Sequence, residues 1–378
     1  MAEHSERITD TGWALCDEIG PEKIVHLYRP ELNLRAIVVV DNVACGPSIG
    51  GARMAPDVSL GECFGLARAM TLKNAAAGLA HGGGKSVIFA DPKMPAADKE
   101  RLIRAFAHAI ADIKDYIVGP DMGTDERCMA WVREENARAV GLPAEIGGIP
   151  LDELGATGFG LVVAASAAEK YCDVKLSRAR VAVQGFGSVG LHAARCFAER
   201  GAAVVAVADS GGAIENAGGL DLERLIDHKR AGNSVASFAG GRTLARDDLI
   251  GVDCDIWIPA ARPDAITADN AARLRARLVV CGANIPATAR VEQSLAERGV
   301  LVVPDFIANA GGVICASVEY HGGTRTGAFA AIEEKIAANT ERMLADARST
   351  GVTPRAAAEA LAGARLRKAM SLRRWALH

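Results

Sequence analysis

The sequence predicts an α/β protein of two domains, the second built on a doubly wound parallel sheet, with a helical region at the C-terminus. Three observations carry this. Short apolar, β-branched runs alternate with helical periodicity along most of the 378 residues. A glycine-spaced stretch, VAVQGFGSVGLHAARCFAERGAAVVAVAD, reads strand, tight turn, helix, strand. Between the halves, VGLPAEIGGIPLDELGAT (140–157) is rich in glycine and proline and has no period. We place the domain boundary there, giving domains at 1–150 and 151–327 and a helical region at 328–378 that is expected to pack back on the first domain.

In the first domain LRAIVVVDNV reads as a strand. ECFGLARAMTLKNAAAG has helical periodicity up to its glycines, and KSVIFADP is a buried strand ended by proline. DKERLIRAFAHAIADIKDY is an amphipathic helix with an acidic start. VGPDMGTDERCMAWVREENARAV is a glycine/proline turn followed by a helix. In the second domain RVAVQ, AAVVAVAD, DCDIWIPA, RLVVCGAN and VLVVPDFIAN are short strands separated by helical or turn-like stretches, the rhythm of a parallel sheet. From about residue 328 the pattern is helical almost to the end.

Bulk properties exclude several classes. Net charge is −3, so no polyanion-binding field is expected, and the basic C-terminal run RLRKAMSLRRWALH reads as a solvated helix face. We expect no nucleic-acid partner. No apolar run approaches the length of a membrane span, and the polar N-terminus MAEHSERITDTGW lacks the apolar segment of a signal peptide. Nine cysteines, odd in number and without a CxxC pair, read as buried thiols of a reducing, cytoplasmic compartment, with no metal site.

The loop Gly185-Phe186-Gly187-Ser188-Val189-Gly190 fits G-x-G-x-x-G in the context that fingerprint requires. Gly185 permits the tight turn, Gly187 lets backbone approach a pyrophosphate, and Gly190 lets the helix lie close to the sheet. The helix N-terminus then offers free N–H groups to the phosphates. Asp209 follows Gly190 by nineteen residues, where a carboxylate accepts from the adenosine ribose hydroxyls and repels a 2′-phosphate. This Rossmann-type reading favours NAD, with NADP possible if basic residues lie nearby.

Lys73 and Lys85 stand twelve apart in LKNAAAGLAHGGGKSVI, a stretch with no acid between them. One such lysine snorkels to water in most settings. Two, framed by glycines that let backbone approach a ligand, suit binding a small carboxylate and moving protons near neutral pH. His81 reads as a polar loop position.

GPSIGGARM, MTLKNAAAGLAHGGGKSVI, GPDMGTDERCMAWV, ATGFG, VAVQGFGSVG and PDFIANAGGVI occur in this order from about residue 30 to 330. Together they resemble the glutamate/leucine/phenylalanine/valine dehydrogenases. The resemblance implies NAD(P)-dependent oxidative deamination of an L-amino acid to a 2-oxo acid and ammonia, in a homo-oligomer assembled through the first domain. It implies that Lys85 and Asp121 are catalytic and that Lys73 pairs with the substrate carboxylate, helped by backbone at Gly51 and Met70. It puts Thr157 at the nicotinamide carboxamide, Asn284 near the nicotinamide ribose and substrate, and Asn309 near the cofactor. Domain closure would join the two half-sites.

Glutamate-specific members carry a lysine before the GG of GGxR and a serine after NAGG. Here Ile49 and Ala316 stand there. An aliphatic wall does not pair a carboxylate. With Gly119 and Val313 also lining the pocket, an apolar side chain of leucine, valine or phenylalanine type is expected, with glutamate as the alternative. A non-catalytic nucleotide-sensing protein on the same fold is disfavoured, because Lys85 and Asp121 are both present.

Overall fold

The computed structural model describes residues 12–373. The chain forms two compact units. Among the described residues the first comprises 12–150, 316–324 and 362–373; the second comprises 151–315 and 325–361.

In the first unit β1 (Lys23–Arg29), β2 (Leu34–Asn42), β3 (Ser48–Ala55), α1 (Leu60–Ala76), β4 (Gly82–Phe89), α2 (Ala96–Ala109), β5 (Tyr116–Pro120) and α3 (Glu126–Asn136) follow in order. The sheet runs β1-β2-β4-β3-β5. β1, β2 and β4 pair antiparallel, while β3 pairs parallel with both β4 and β5. Leu102, Ile103 and Phe106 of α2 and Met129 and Val132 of α3 fill one core with Val38, Val40, Met54 and Ile88 of the sheet. Each such side chain contributes roughly 1.5–3 kcal/mol by leaving water.

α1 covers the opposite face. Ser59 caps it, its hydroxyl accepting from the Glu62 N–H at 3.1 Å. Its buried row is Cys63, Ala67, Thr71 and Asn74, small enough to bring the helix down onto β4. At the other end Arg365 donates to the carbonyls of Ala75 and Leu79, both at 2.9 Å. Ala75 is in the last turn of the helix and Leu79 lies three residues beyond its end, so one guanidinium ties the helix end to the segment that follows it.

The glycines before Lys85 are strand residues, not a loop. A Cβ at Gly82 would lie 1.7 Å from the Asn42 carbonyl oxygen, at Gly83 2.1 Å from the Thr71 nitrogen, and at Gly84 2.9 Å from Ser48 Oγ. The protein itself occupies the space that sequence reasoning left for a ligand. His81 is fully buried rather than a polar loop residue. Its Nδ1 donates to the Pro47 carbonyl at 3.1 Å, and its ring packs on Tyr320 and His321.

The second unit opens with α4 (Ala156–Ala168), followed by β6 (Arg180–Gln184), α5 (Ser188–Glu199), β7 (Ala203–Asp209), β8 (Gly212–Glu215), α6 (Leu222–Arg230), β9 (Arg242–Leu244), β10 (Ile256–Pro259), β11 (Leu278–Val280), α7 (Ala289–Glu297), β12 (Leu301–Val303) and α8 (Asp305–Ala308). Its sheet runs β12-β11-β10-β6-β7-β8-β9. Five strands are parallel, as expected of a doubly wound sheet; β8 and β9 add an antiparallel edge. The cause is local. Gly212, which opens β8 three residues after Asp209 ends β7, adopts φ +144°, and the chain doubles back there instead of crossing over.

Three helices close the sequence: α9 (Gly311–Tyr320), α10 (Arg325–Thr350) and α11 (Pro354–Leu372). The region expected to return whole to the first domain is divided. Residues 325–361 belong to the second unit, where Ile332 and Ile336 of α10 are buried and Gly160 of α4 leaves room for the Ile336 side chain. Residues 362–373 belong to the first.

Candidate active site

In the first unit, alternation along β3 puts Ile49 and Gly51 on one face, and alternation along β4 puts Gly83 and Lys85 on one face. Gly51 and Gly83 identify it as the α1 side. A Cβ at Gly51 would meet Lys85 Nζ at 3.2 Å, and one at Gly83 would meet Thr71 of α1. Lys73 and Met70 lie on the last two turns of that helix, both half-buried. Lys73 also sits where a helix C-terminus favours a cation. Ile49, only 2% exposed, faces the same side as the Lys85 ammonium. Gly119 lies opposite Gly51 in the β3–β5 register.

Lys85 is buried, and its Nζ lies 2.5 Å from Asp121 Oδ2. Asp121 follows β5 directly. Its N–H donates to Thr124 Oγ1 at 3.0 Å, and the threonine hydroxyl donates to the Ala52 carbonyl at 2.8 Å. The helix-capping role open to an aspartate here is filled by Asp125, whose carboxylate accepts from the Cys128 N–H. Burial works to raise the Asp121 carboxyl, but the charges of Lys85 and Arg53 outweigh it and hold it below the usual carboxylate range.

Sequence reasoning missed Arg53 and Glu62. Arg53 Nε donates to Asp121 Oδ2 at 3.3 Å, and its Nη1 donates to Glu62 at 2.6 Å. The signal was present: Arg53 lies two residues beyond Gly51 in GGARM, on the same side of the strand. Tyr116 was missed as well. Its hydroxyl reaches the Gly50 carbonyl at 3.1 Å and Ser86 Oγ at 3.0 Å, tying the edge strand β5 to its neighbour β3 and to β4 beyond it.

The second unit carries the glycine loop. Gly185 has φ +97°. A Cβ at Gly190 would lie 1.8 Å from the Gly185 carbonyl oxygen, while one at Gly187 would meet nothing within 4 Å. α5 begins at Ser188 with no side chain capping it, its first N–H groups open to an anion beside Phe186 and Val189. Ser188 Oγ donates to the Asp152 carbonyl. These features fit a dinucleotide pyrophosphate.

Asn309 Nδ2 donates to Asn284 Oδ1 at 2.9 Å and to the Gly282 carbonyl at 3.2 Å, and the buried Asn309 Oδ1 has no partner. Thr157 lies in the first turn of α4, its hydroxyl 3.1 Å from where a Gly312 Cβ would stand. The paired glycines of NAGG thus seat this segment on α4. Val313 follows on α9, half-buried, with Ala316 one turn further and buried.

Asp209 ends β7 as expected, but it is not an open acceptor. Oδ1 accepts from the Gly211 N–H at 2.9 Å and from Ser234 Oγ at 2.8 Å; Oδ2 accepts from Lys229 Nζ at 2.6 Å and from the Val235 N–H at 3.0 Å. Burial opposes ionisation, and these donors outweigh it, lowering the carboxyl to about 2. A ribose hydroxyl must displace one of them to bind.

Residues 28–138 match the family pattern "Glu/Leu/Phe/Val dehydrogenase, dimerisation domain", and residues 147–374 match "Glutamate/Leucine/Phenylalanine/Valine dehydrogenase". The glutamate dehydrogenase of Aeropyrum pernix is 36% identical over 358 residues, 88% of this chain and 85% of that protein. A hetero-hexameric glutamate dehydrogenase from Thermus thermophilus, solved with leucine bound, superposes with a TM-score of 0.85 at 30% identity, covering 93% of this chain and 90% of that one. L-tryptophan dehydrogenase from Nostoc punctiforme superposes at 0.71 with 25% identity, covering 93% and 97%.

Proposed function

Since the chain belongs to the glutamate/leucine/phenylalanine/valine dehydrogenase family and is an amino acid dehydrogenase, we propose that it removes hydride from Cα of an L-amino acid held beside Lys85 and Asp121. The nicotinamide cofactor supplies the hydride acceptor. Lys73 pairs with the substrate α-carboxylate. Lys85 activates the water that adds to the resulting iminium carbon, and Asp121 exchanges a proton with the substrate nitrogen. The 2-oxo acid and ammonia leave. The 2.5 Å contact between Lys85 and Asp121 carries this reading, because proton exchange needs an acid and a base within hydrogen-bond reach.

Two observations divide on the side chain accepted. The relatives named above as glutamate dehydrogenases favour glutamate, which has the better backing from the comparisons. Ile49 supports the other reading: an aliphatic group stands on the Lys85 face where glutamate-specific members present an ammonium, and a carboxylate buried against it unpaired costs several kcal/mol. From the geometry we infer an apolar substrate of leucine, valine or phenylalanine type, with glutamate as the second reading. For the cofactor, the Asp209 carboxylate supports NAD, and Lys229 beside it supports NADP as the alternative.

All twenty L-amino acids, each with NAD and with NADP, followed by absorbance of the reduced cofactor, test this. Turnover of leucine, valine or phenylalanine above glutamate supports the apolar pocket; turnover of glutamate alone overturns it. Light scattering tests assembly as a homo-oligomer. Among the described residues no helix is long and apolar enough to cross a membrane, and a cytoplasmic location is proposed on the cysteine pattern alone.

A further inference from the structure

Arg53 and Glu62 extend the Lys85–Asp121 pair into a row of four alternating charges. Lys85 Nζ and Arg53 Nε reach the same carboxylate oxygen, Asp121 Oδ2, at 2.5 and 3.3 Å, and Arg53 Nη1 reaches Glu62 Oε1 at 2.6 Å. The Arg53 side chain is 17% exposed, so solvent screens this row much less than a surface pair. Glu62 sits in the first turn of α1, where the helix favours a carboxylate.

The two cations on Asp121 differ in kind. A lysine gains and loses its proton in catalysis; a guanidinium does not. When Lys85 is neutral, Arg53 remains as a constant positive charge on the same oxygen. Glu62 in turn shares that charge and weakens its pull. We infer that Arg53 and Glu62 are a tuning pair: Arg53 keeps Asp121 ionised while Lys85 changes protonation state, and Glu62 limits how firmly. Both are positioning residues. The inference rests on the reading that Asp121 exchanges protons with the substrate amine.

The other ionisable groups on these elements are accounted for. Lys85 comes from β4 and Tyr116 from β5; Cys63, Arg68 and Lys73 share α1 with Glu62, and the Arg68 guanidinium is held by Asp17 and Asp41. Burial pushes the Cys63 thiol up to about 12, so it stays neutral, and burial likewise raises the Tyr116 hydroxyl. Arg53 and Glu62 are then the pair whose substitution alters fixed charge next to Asp121 without removing Lys85.

The experiment is a carbon-13 NMR titration of the Asp121 carboxyl in the full-length protein, assigned with Asp121→Asn, alongside the pH profile of kcat/KM. Arg53→Met should move the Asp121 titration and the acidic limb of the profile up by about one pH unit. Arg53→Lys should restore most of the shift. Glu62→Gln should move both the other way, because the arginine charge then falls wholly on Asp121. Opposite shifts are not expected of residues that only hold the fold together. Unchanged titrations, or shifts of the same sign for Arg53→Met and Glu62→Gln, overturn the inference. Glu62 is a third exposed, so Glu62→Gln carries the test if Arg53→Met does not fold. If the wild-type protein oxidises no amino acid, the functional reading fails while the titrations remain readable. Unshifted titrations in an active enzyme remove the tuning pair alone.

Discussion

Lys85 lies in the middle of β4 and Asp121 just past the end of β5, two strands that never pair with each other, yet their charged atoms meet at 2.5 Å. β3 runs between them, and Gly51 on β3 lets them touch across it. Lys85→Ala should cut kcat by about a thousandfold, the middle of the range for a positioned acid–base group. Cofactor affinity, read by fluorescence titration, should change little. Turnover at the wild-type rate would remove Lys85 from the chemistry.

Gly51→Ala tests the same contact without removing either charge. The new methyl would stand 2.7 Å from Asp121 Cβ and from the Pro120 carbonyl oxygen, forcing the pair apart. A displacement of about 1 Å costs about a hundredfold in rate. Gly65→Ala is the matched control. It lies inside α1, exposed, with nothing within 4 Å of its Cβ, and should raise stability by about 0.5–1 kcal/mol in a denaturant titration while kcat holds.

Two glycines of the dinucleotide loop should separate binding from folding. Gly187→Ala meets open space, so the melting temperature should hold while KM for the dinucleotide rises, the methyl occupying the path of the pyrophosphate. Gly190→Ala collides with the Gly185 carbonyl oxygen at 1.8 Å and should lower the melting temperature before any binding is measured. Equal KM values for Gly187→Ala and wild type would move the phosphates elsewhere.

His81 makes native stability depend on pH. Burial holds it below its ordinary value of 6.5, with the nearby His321 acting in the same direction. Above 6.5 the ring is neutral in both folded and unfolded chains, and it contributes no slope. Below 6.5 the unfolded chain binds a proton that the folded chain refuses, so stability falls with pH until the folded value is reached. The slope from this one group is at most about 1.4 kcal/mol per pH unit. Urea midpoints between pH 5 and 8 should show the decline, and His81→Asn should flatten it. A wild-type midpoint that holds constant through this window contradicts the buried neutral ring.

The glycine fingerprint was legible because each of its three glycines answers a different local demand, and those demands lie within six residues. The Asn284–Asn309 pair was reachable only through family resemblance, since twenty-five residues separate its members. Contacts between elements stayed hidden. Three of the four donors that enclose Asp209 come from residues 229, 234 and 235, and no period in the sequence announces them. Arg53 meets Glu62 only because α1 folds back over β3. The glycines before Lys85 were misread because a missing Cβ looks the same whether a ligand or a helix fills its place. Helical periodicity also does not say which unit a helix will cover, and so α10 was assigned to the wrong one.

Arg365 closes the end of the helix that carries Lys73. It stands 290 residues along the chain from Ala75, whose carbonyl it meets. Chains emerge and fold from the N-terminal side during synthesis. The turn that carries Lys73 is therefore made long before α11 can complete it, and an enzyme clipped or stalled just short of residue 365 would keep its dinucleotide-binding unit while leaving that turn undone.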